Sequence, residues 1–406
     1  MATRPLRLEE LAEVLAFDFD EASGGIPQLN ADWRREDQEQ AVLSTCSSLI
    51  TVVHDGDSRV VQFSHFSVKE YLTSDRLAVA VGDISFHHIA LTPAHTILAQ
   101  ACLGVLLQLD DDSRGSYLRR FPLVEYAARY WVDHAQFEEV SLHLQDGIEN
   151  MFDRDKPHLS RWIQVYNIDD WWVQLNNKFK GVPVYYAALC GFSNIVEKFL
   201  HEHPEHVSAT CGARGTALHA ASSRNRVNIG QLLLKHRADV NALGPYAQTP
   251  LHVASILGNF KIGQCLLEHG ADVDARSHSG RTPLLSAADN GHFEVVRMLL
   301  GHNPDINAQD DEGHTALYRV AGHGHIHIGR ILLDNGADHN SRANDRSTPL
   351  HYALRNGKLE VVHLLLERGA DVDVVDAMGR TAYQIALDRG HDEIAQLLSG
   401  RVSRST

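Results

Sequence analysis

Two clusters of histidine suggest metal chemistry. His201-Glu202-His203-Pro204-Glu205-His206 has the outline of H-E-x-x-H, in which two imidazoles one helical turn apart hold zinc and the Glu acts as base. Here Glu205 stands where the second His is needed, and Pro204 interrupts the helix that the spacing requires. His323, His325 and His327 alternate like ligands on a strand, yet Gly324 lies among them and the same Gly-His pair recurs as Gly291-His292 and Gly390-His391, which marks a turn. Neither cluster is assigned a metal. G-x-S-x-G is absent, so no serine nucleophile is placed on a sharp turn. The five cysteines, Cys46, Cys102, Cys190, Cys211 and Cys265, include no C-x-x-C pair, which argues against a thiolate zinc site or a disulfide framework. A reducing compartment fits, the cytoplasm first, with the nucleus left open. No G-x-x-x-x-G-K-[ST] occurs, so no loop of amides cradles a phosphate. No catalytic residue and no cofactor is expected.

The elements around these residues explain why. The chain has 406 residues, with 52 acidic against 37 basic side chains and a formal charge of −15. The imbalance is uneven: residues 1–180 carry 28 acidic and 16 basic residues, and the remainder 24 and 21. An acidic chain without a Lys/Arg stripe is poorly suited to phosphate backbones or anionic lipid, so no nucleic acid partner is expected. The N-terminus has no uninterrupted apolar core of signal-peptide type. The most apolar stretch, 96–109, falls short of the roughly 20 residues that span a bilayer, so it is read as a buried helix and no membrane insertion is expected.

The C-terminal half repeats. Thr216-Ala-Leu-His219, Thr249-Pro-Leu-His252, Thr282-Pro-Leu-Leu285, Thr315-Ala-Leu-Tyr318, Thr348-Pro-Leu-His351 and Thr381-Ala-Tyr-Gln384 begin at intervals of 33 residues, and Val182-Pro-Val-Tyr185 is a weaker seventh copy. Thr249 is placed to N-cap a helix whose first position, Pro250, needs no amide hydrogen. Gly258 ends that helix after about eight residues. Ile262, Cys265 and Leu266 then form the apolar stripe of a second helix, closed by Gly270. The unit is helix, turn, helix, finger loop.

These letters and this period resemble the ankyrin repeat over about 182–398. The resemblance implies a solenoid in which each unit buries its apolar face against the next, with Asn225 replacing one turn glycine and the last copy, with Tyr383 and Gln384, acting as a polar cap. It also implies a protein partner on the concave face, built from the first helices and finger loops. The positions four, seven and eight residues after each Thr are expected to point outward: Val253, Ile256 and Leu257; Ser286, Asp289 and Asn290; Arg319, Gly322 and His323; Tyr352, Arg355 and Asn356. From these, Leu257, Asp289, Asn290, Arg319, His323, Tyr352, Arg355 and Asn356 are the candidate partner-binding residues, since aromatics and Arg commonly anchor interfaces.

The N-terminus differs. Residues 6–17 and 35–52 show helical apolar spacing, followed by strand 51–54, an Asp-Gly turn and strand 59–63. Helices with a two-stranded wing make a winged helix. With His65, Ser67, Glu70 and Tyr71 in an H-x-S-x-x-E-Y pattern, this segment is similar to the winged helix that follows the nucleotide-binding core of NACHT-type STAND ATPases. The fungal set, often labelled GPI inositol-deacylase-like, pairs it with ankyrin repeats. The resemblance implies that His65 reaches bound ADP in the closed state. Without a P-loop, the chain reads as a fragment of a longer receptor, a truncated reading frame or a shortened relative.

Residues 76–180 read as a connector with helices near 96–109, 123–134 and 137–151, and with Trp131, Trp162, Trp171 and Trp172 serving as core. The expected architecture is mostly α: a winged-helix domain at 1–75, a helical aromatic-rich connector at 76–180, an ankyrin-repeat solenoid at 181–398 and a loose tail at 399–406. The expected function is non-enzymatic binding of a protein partner. The alternative is the regulatory and sensing half of a STAND switch, whose NACHT ATPase domain lies upstream in cis or acts in trans.

Overall fold

The computed structural model describes residues 17–18, 28–29, 50–55, 58–63, 91–109, 121, 123–169 and 182–402. The chain divides into two compact units, 1–183 and 184–406.

In the first unit, β1 (Phe17–Asp18) pairs antiparallel with β2 (Gln28–Leu29), and β3 (Ile50–Asp55) pairs with β4 (Ser58–Phe63). The second pair is the expected hairpin, in register from Ile50 opposite Phe63 to Asp55 opposite Ser58. Two sequence boundaries need correction. Phe17, read as the end of a helix, pairs with Leu29, and Ile50, Thr51 and Val52, read as the end of another, belong to β3. In both places backbone pairing takes residues whose apolar spacing also fits a helix. The rest of the expected winged helix, His65 included, lies outside the described residues, as do Cys46, Trp171 and Trp172.

Among the described residues that follow are the helices α1 (Leu91–Leu107), α2 (Val124–Ala135), α3 (Val140–His143), α4 (Gln145–Phe152) and α5 (His158–Val165). They close around large aromatic rings. Trp131 and Trp162 are fully buried and meet edge to face with centroids 5.2 Å apart, and the Trp162 indole donates to the Ala128 carbonyl at 2.7 Å. Such rings bury a large apolar area while the indole N–H needs a partner, which Trp162 finds in that carbonyl. A buried polar chain crosses the same core: Tyr126 Oη lies 2.8 Å from His134 Nε2, and His134 Nδ1 lies 2.8 Å from His95 Nδ1. Burial, reinforced by the neighbouring His95, lowers the His134 pKa to about 4, so that imidazole is neutral near pH 7.

The second unit consists of helix pairs: α6 (Pro183–Cys190) with α7 (Ser193–Glu202), α8 (Ala217–Ser223) with α9 (Val227–Lys235), α10 (Pro250–Ile256) with α11 (Phe260–Glu268), α12 (Pro283–Asp289) with α13 (Phe293–Leu300), α14 (Ala316–His323) with α15 (Ile326–Asp334), α16 (Pro349–Arg355) with α17 (Leu359–Glu367), and α18 (Ala382–Asp388) with α19 (Asp392–Val402). The tail expected to be loose from 399 remains helical as far as Val402.

Each Thr acts as expected. Thr249 Oγ1 accepts the His252 amide, and His252 Nδ1 accepts from the Thr249 amide at 3.2 Å, a capping box with His in the reciprocal position. The same imidazole then reaches forward, with Nε2 2.9 Å from the Arg281 carbonyl of the next finger. His219 and His351 repeat this device toward Gln248 and Val374. Burial lowers the pKa of all three, so each is held as a neutral imidazole.

Two further ladders join successive repeats. Side chains of Asn241, Asp274, Asn307 and Asn340 accept amides of Asp272, Asp305, Asp338 and Asp371, each 31 residues later. At the turns, His292 lies over Gly258, where an added Cβ would stand 2.5 Å from its ring, and Gly258 itself has φ +72°. His325 covers Gly291 and His391 covers Gly357 in the same way. Asn225 takes φ +55° without a glycine and accepts the Ile262 amide through its side chain.

Candidate protein-binding face of the repeats

Successive first helices lie side by side, so the position four residues after Thr is drawn between them. Val253 and Ser286 are buried, which corrects the expectation that they point outward. Gly322 is buried as well: a Cβ there would stand 2.1 Å from the Tyr352 ring. Of the candidate residues, Leu257, Asn290, His323 and Asn356 are exposed, whereas Asp289, Arg319, Tyr352 and Arg355 are half-buried.

The half-buried residues are tied into the fold. Arg319 donates to Asp310 Oδ2 at 3.0 Å and Glu312 Oε2 at 3.2 Å; Arg355 donates to Asp345 at 3.1 Å and Asp376 at 3.2 Å. Asp289 accepts from Arg281 at 3.0 Å and lies 3.0 Å from His323 Nε2. Burial alone would raise the Asp310 pKa, but the His314 amide and the Arg319 guanidinium outweigh it and lower it. Asp376 is driven further, to about 2, because the Arg380 amide and guanidinium, the Met378 amide and Arg355 overcome its burial. Both carboxylates also close their finger turns by accepting two amides each. The two arginines therefore brace the fingers and carry their own counter-charge. Sequence reasoning missed this role, although an acidic residue recurring five positions before Thr315 and Thr381 was a usable signal.

Tyr352 stacks on Tyr318 at 4.7 Å between centroids, and Tyr318 stacks on His314 at 4.3 Å, forming a column of three rings across two repeats. The Tyr318 hydroxyl lies 2.8 Å from Ser347 Oγ, taking the place of the forward-reaching His of other copies.

Asp310, Glu312 and His314 have potential ligand atoms within 4.8 Å of one another. The Arg319 guanidinium bonds to two of the three, so the cation already present there is an arginine. At the other histidine cluster, α7 ends at Glu202 and Pro204 opens a short 3₁₀ turn, so the three imidazoles do not share a helical face. Cys265 is buried in its helix, and burial pushes its thiol pKa up, the opposite of a reactive cysteine.

The paired helices, capped Thr and forward-bonded finger loops define a repeat protein of the ankyrin class. Family models of ankyrin repeats match 184–277, 244–310, 274–343, 302–376 and 341–403, together more than half of the chain, and the chain belongs to the ankyrin-repeat family. Residues 1–82 match the winged helix domain of GPI inositol-deacylase, so a winged-helix domain of that type precedes the array. The chain is 31% identical over 264 residues to the azaphilone pigments biosynthesis cluster protein L of Monascus ruber, an alignment covering 59% of this chain and 54% of that protein. The chain thus spans about half the length of this curated relative. Among solved structures, the ankyrin repeat domain of Bcl-3 is 26% identical, with a TM-score of 0.48 over 52% of this chain and 95% of that one. Among the described residues, no helix is long and apolar enough to cross a membrane.

Proposed function

We propose that this chain is a non-enzymatic interaction protein that holds a protein partner on the face formed by its first helices and finger loops. The reading rests on one observation: the repeat framework fixes Leu257, Asn290, His323 and Asn356 as exposed side chains along one edge of consecutive first helices, beside the half-buried Tyr352 ring. A rigid row of varied side chains suits recognition by complementarity. Asp289, Arg319 and Arg355 keep that row in place and contribute their outer edges to it.

The test is capture of partners from the source cell with the full chain and with Leu257→Ala combined with Tyr352→Ala. Truncating a central anchor weakens binding by about 1–2 kcal/mol or more, so a partner should be lost. Unchanged capture of every partner would move the site away from this face.

The match of 1–82 to a winged helix of the GPI inositol-deacylase type supports a second reading, in which this chain regulates a NACHT-type ATPase domain. On that reading His65 senses ADP and the array senses the ligand. A separately supplied NACHT domain should bind the chain more firmly with ADP than with ATP, and His65→Ala should narrow the difference. Equal binding in both nucleotides would remove this reading.

A further inference from the structure

The finger tips are linked by backbone bonds that repeat along the array. The amide of Asp311 donates to the Ser279 carbonyl at 3.0 Å, Asn344 to Glu312 at 3.0 Å, Ala377 to Asp345 at 2.9 Å and His278 to Tyr246 at 2.8 Å. In the finger at 241–248 the equivalent donor position is Pro245, which has no amide hydrogen to offer the finger before it. The finger compensates by pressing its backbone inward. Gly244 lies so close to the preceding finger that a Cβ would stand 2.4 Å from the Arg214 carbonyl. The turn closes through the Gly244 amide on the Gln248 carbonyl at 2.8 Å.

The next two residues, Tyr246 at φ +59° and Ala247 at φ +52°, both take the left-handed conformation that side chains disfavour. The backbone serves the array, since Ala247 stands where Gly280, Gly313, Arg346 and Gly379 turn the other fingers at positive φ and the Tyr246 carbonyl accepts the His278 amide; the side chain at the tip does not. Tyr246 is 74% exposed and Leu243, three residues earlier, is 62% exposed. A strained backbone fixed from both sides holds an aromatic and an aliphatic side chain out in water. Such an anchor loses little conformational freedom when a partner covers it.

Charge indicates what that partner carries. The repeat 216–248 has Arg224, Arg226, Lys235 and Arg237 against Asp239 alone, a net charge of +3 with His neutral, whereas the repeat 282–314 has six acidic residues against Arg297, a net charge of −5. Lys235 and Arg237 are exposed at the end of the helix that leads into this finger, and His278 is exposed at the adjoining tip.

We infer that the finger at 241–248, with Tyr246 and Leu243 at its tip, is a docking surface for an acidic segment of a partner protein that carries an apolar anchor residue. This finger is one of the loops of the face proposed above, and the inference rests on that reading while naming a part of the face, and a partner chemistry, that do not involve the first helices.

The test begins by selecting a displayed library of random peptides on the full chain, then measuring synthetic copies of the enriched peptides by fluorescence anisotropy. Enriched peptides are expected to combine Asp or Glu with Leu, Phe or Trp. Their affinity should fall about tenfold with Tyr246→Ser, fall more gently with Lys235→Glu plus Arg237→Glu, weaken with added salt, and stay unchanged with Tyr352→Ala. Circular dichroism melting of each variant checks that it folds, as substitution of an exposed side chain should allow. A basic consensus, no enrichment, or binding that responds only to Tyr352→Ala would overturn the inference. So would concentration-dependent self-association in sedimentation that Tyr246→Ser abolishes, since the finger would then be occupied by a second copy of the chain.

Discussion

The helical unit at 91–169 and the repeat array are both built, in their described residues, from helices with buried histidines, but they are held together over different distances along the chain. In the helical unit a few large rings, Trp131, Phe152 and Trp162, bring together residues from three helices around one centre. In the array the recurring bonds join residues about 30 positions apart, one repeat to the next. Loss of one central ring should therefore damage the whole helical unit, while loss of one rung should damage the array only locally.

The sharpest way to break this comparison is Trp162→Ala. Removing a fully buried indole is expected to cost about 3–5 kcal/mol, enough to unfold the helical unit while the array keeps its helical signal. Thermal melting followed by near-ultraviolet and far-ultraviolet circular dichroism separates the two, because Trp131 and Trp162 lie in the first unit. A uniform melt of both would contradict the contrast.

Gly322→Ala is the corresponding test in the array. The new methyl must displace the Tyr352 ring, and the expected net loss is about 1–2 kcal/mol, after the usual helix gain of Ala over Gly. A variant more stable than the parent would show that the ring column is loose.

The pH response should be smaller and spread over several repeats. His219, His252 and His351 have pKa values lowered by burial, so the folded chain resists protonation that the unfolded chain accepts. Their contribution is complete above the unfolded value of about 6.5 and is lost as pH falls below it. The melting temperature of the array should therefore decline from pH 7.5 to 5.5, and less steeply in His252→Gln, which keeps a side chain able to accept at the cap. A flat profile would mean that these imidazoles open to water before they titrate.

The smallest effect is expected from deleting everything before residue 182. An array of nearest-neighbour units should stay soluble and helical, with a melting temperature close to that of the same repeats in the full chain. An unfolded or aggregated product would mean that the unit beginning at Val182 does not cap the array.

The array was legible in the sequence because each of its instructions is local. Thr before Pro starts a helix, Gly ends it, and a Leu pair fills the second helix, all within one period of 33 residues. The site was less legible because its geometry comes from neighbouring repeats. Tyr352 looks like a free aromatic until the preceding first helix brings Tyr318 under it. Arg319 and Arg355 look like anchors until the finger loops supply Asp310, Asp345 and Asp376. The outward reading of Val253 and Ser286 failed for the same reason: a single helix shows which side is polar, but only two helices side by side show which polar-facing position is covered. Tyr246 went unnoticed because it puts an aromatic ring where the other fingers have Ser279, Glu312 and Asp345; the usable signal was Pro245 at a position where other fingers need an amide.

The side-chain ladder of Asn241, Asp274, Asn307 and Asn340 constrains how such a gene can change length. Each bond links a residue to one 31 positions later, and the donors and acceptors recur every 33. Duplication or loss of one whole unit restores every donor to an acceptor of the same kind, and the array simply becomes longer or shorter. An insertion of a few codons inside a finger puts two rungs out of step at once, so growth of this surface by whole units is the route that its hydrogen bonding leaves open.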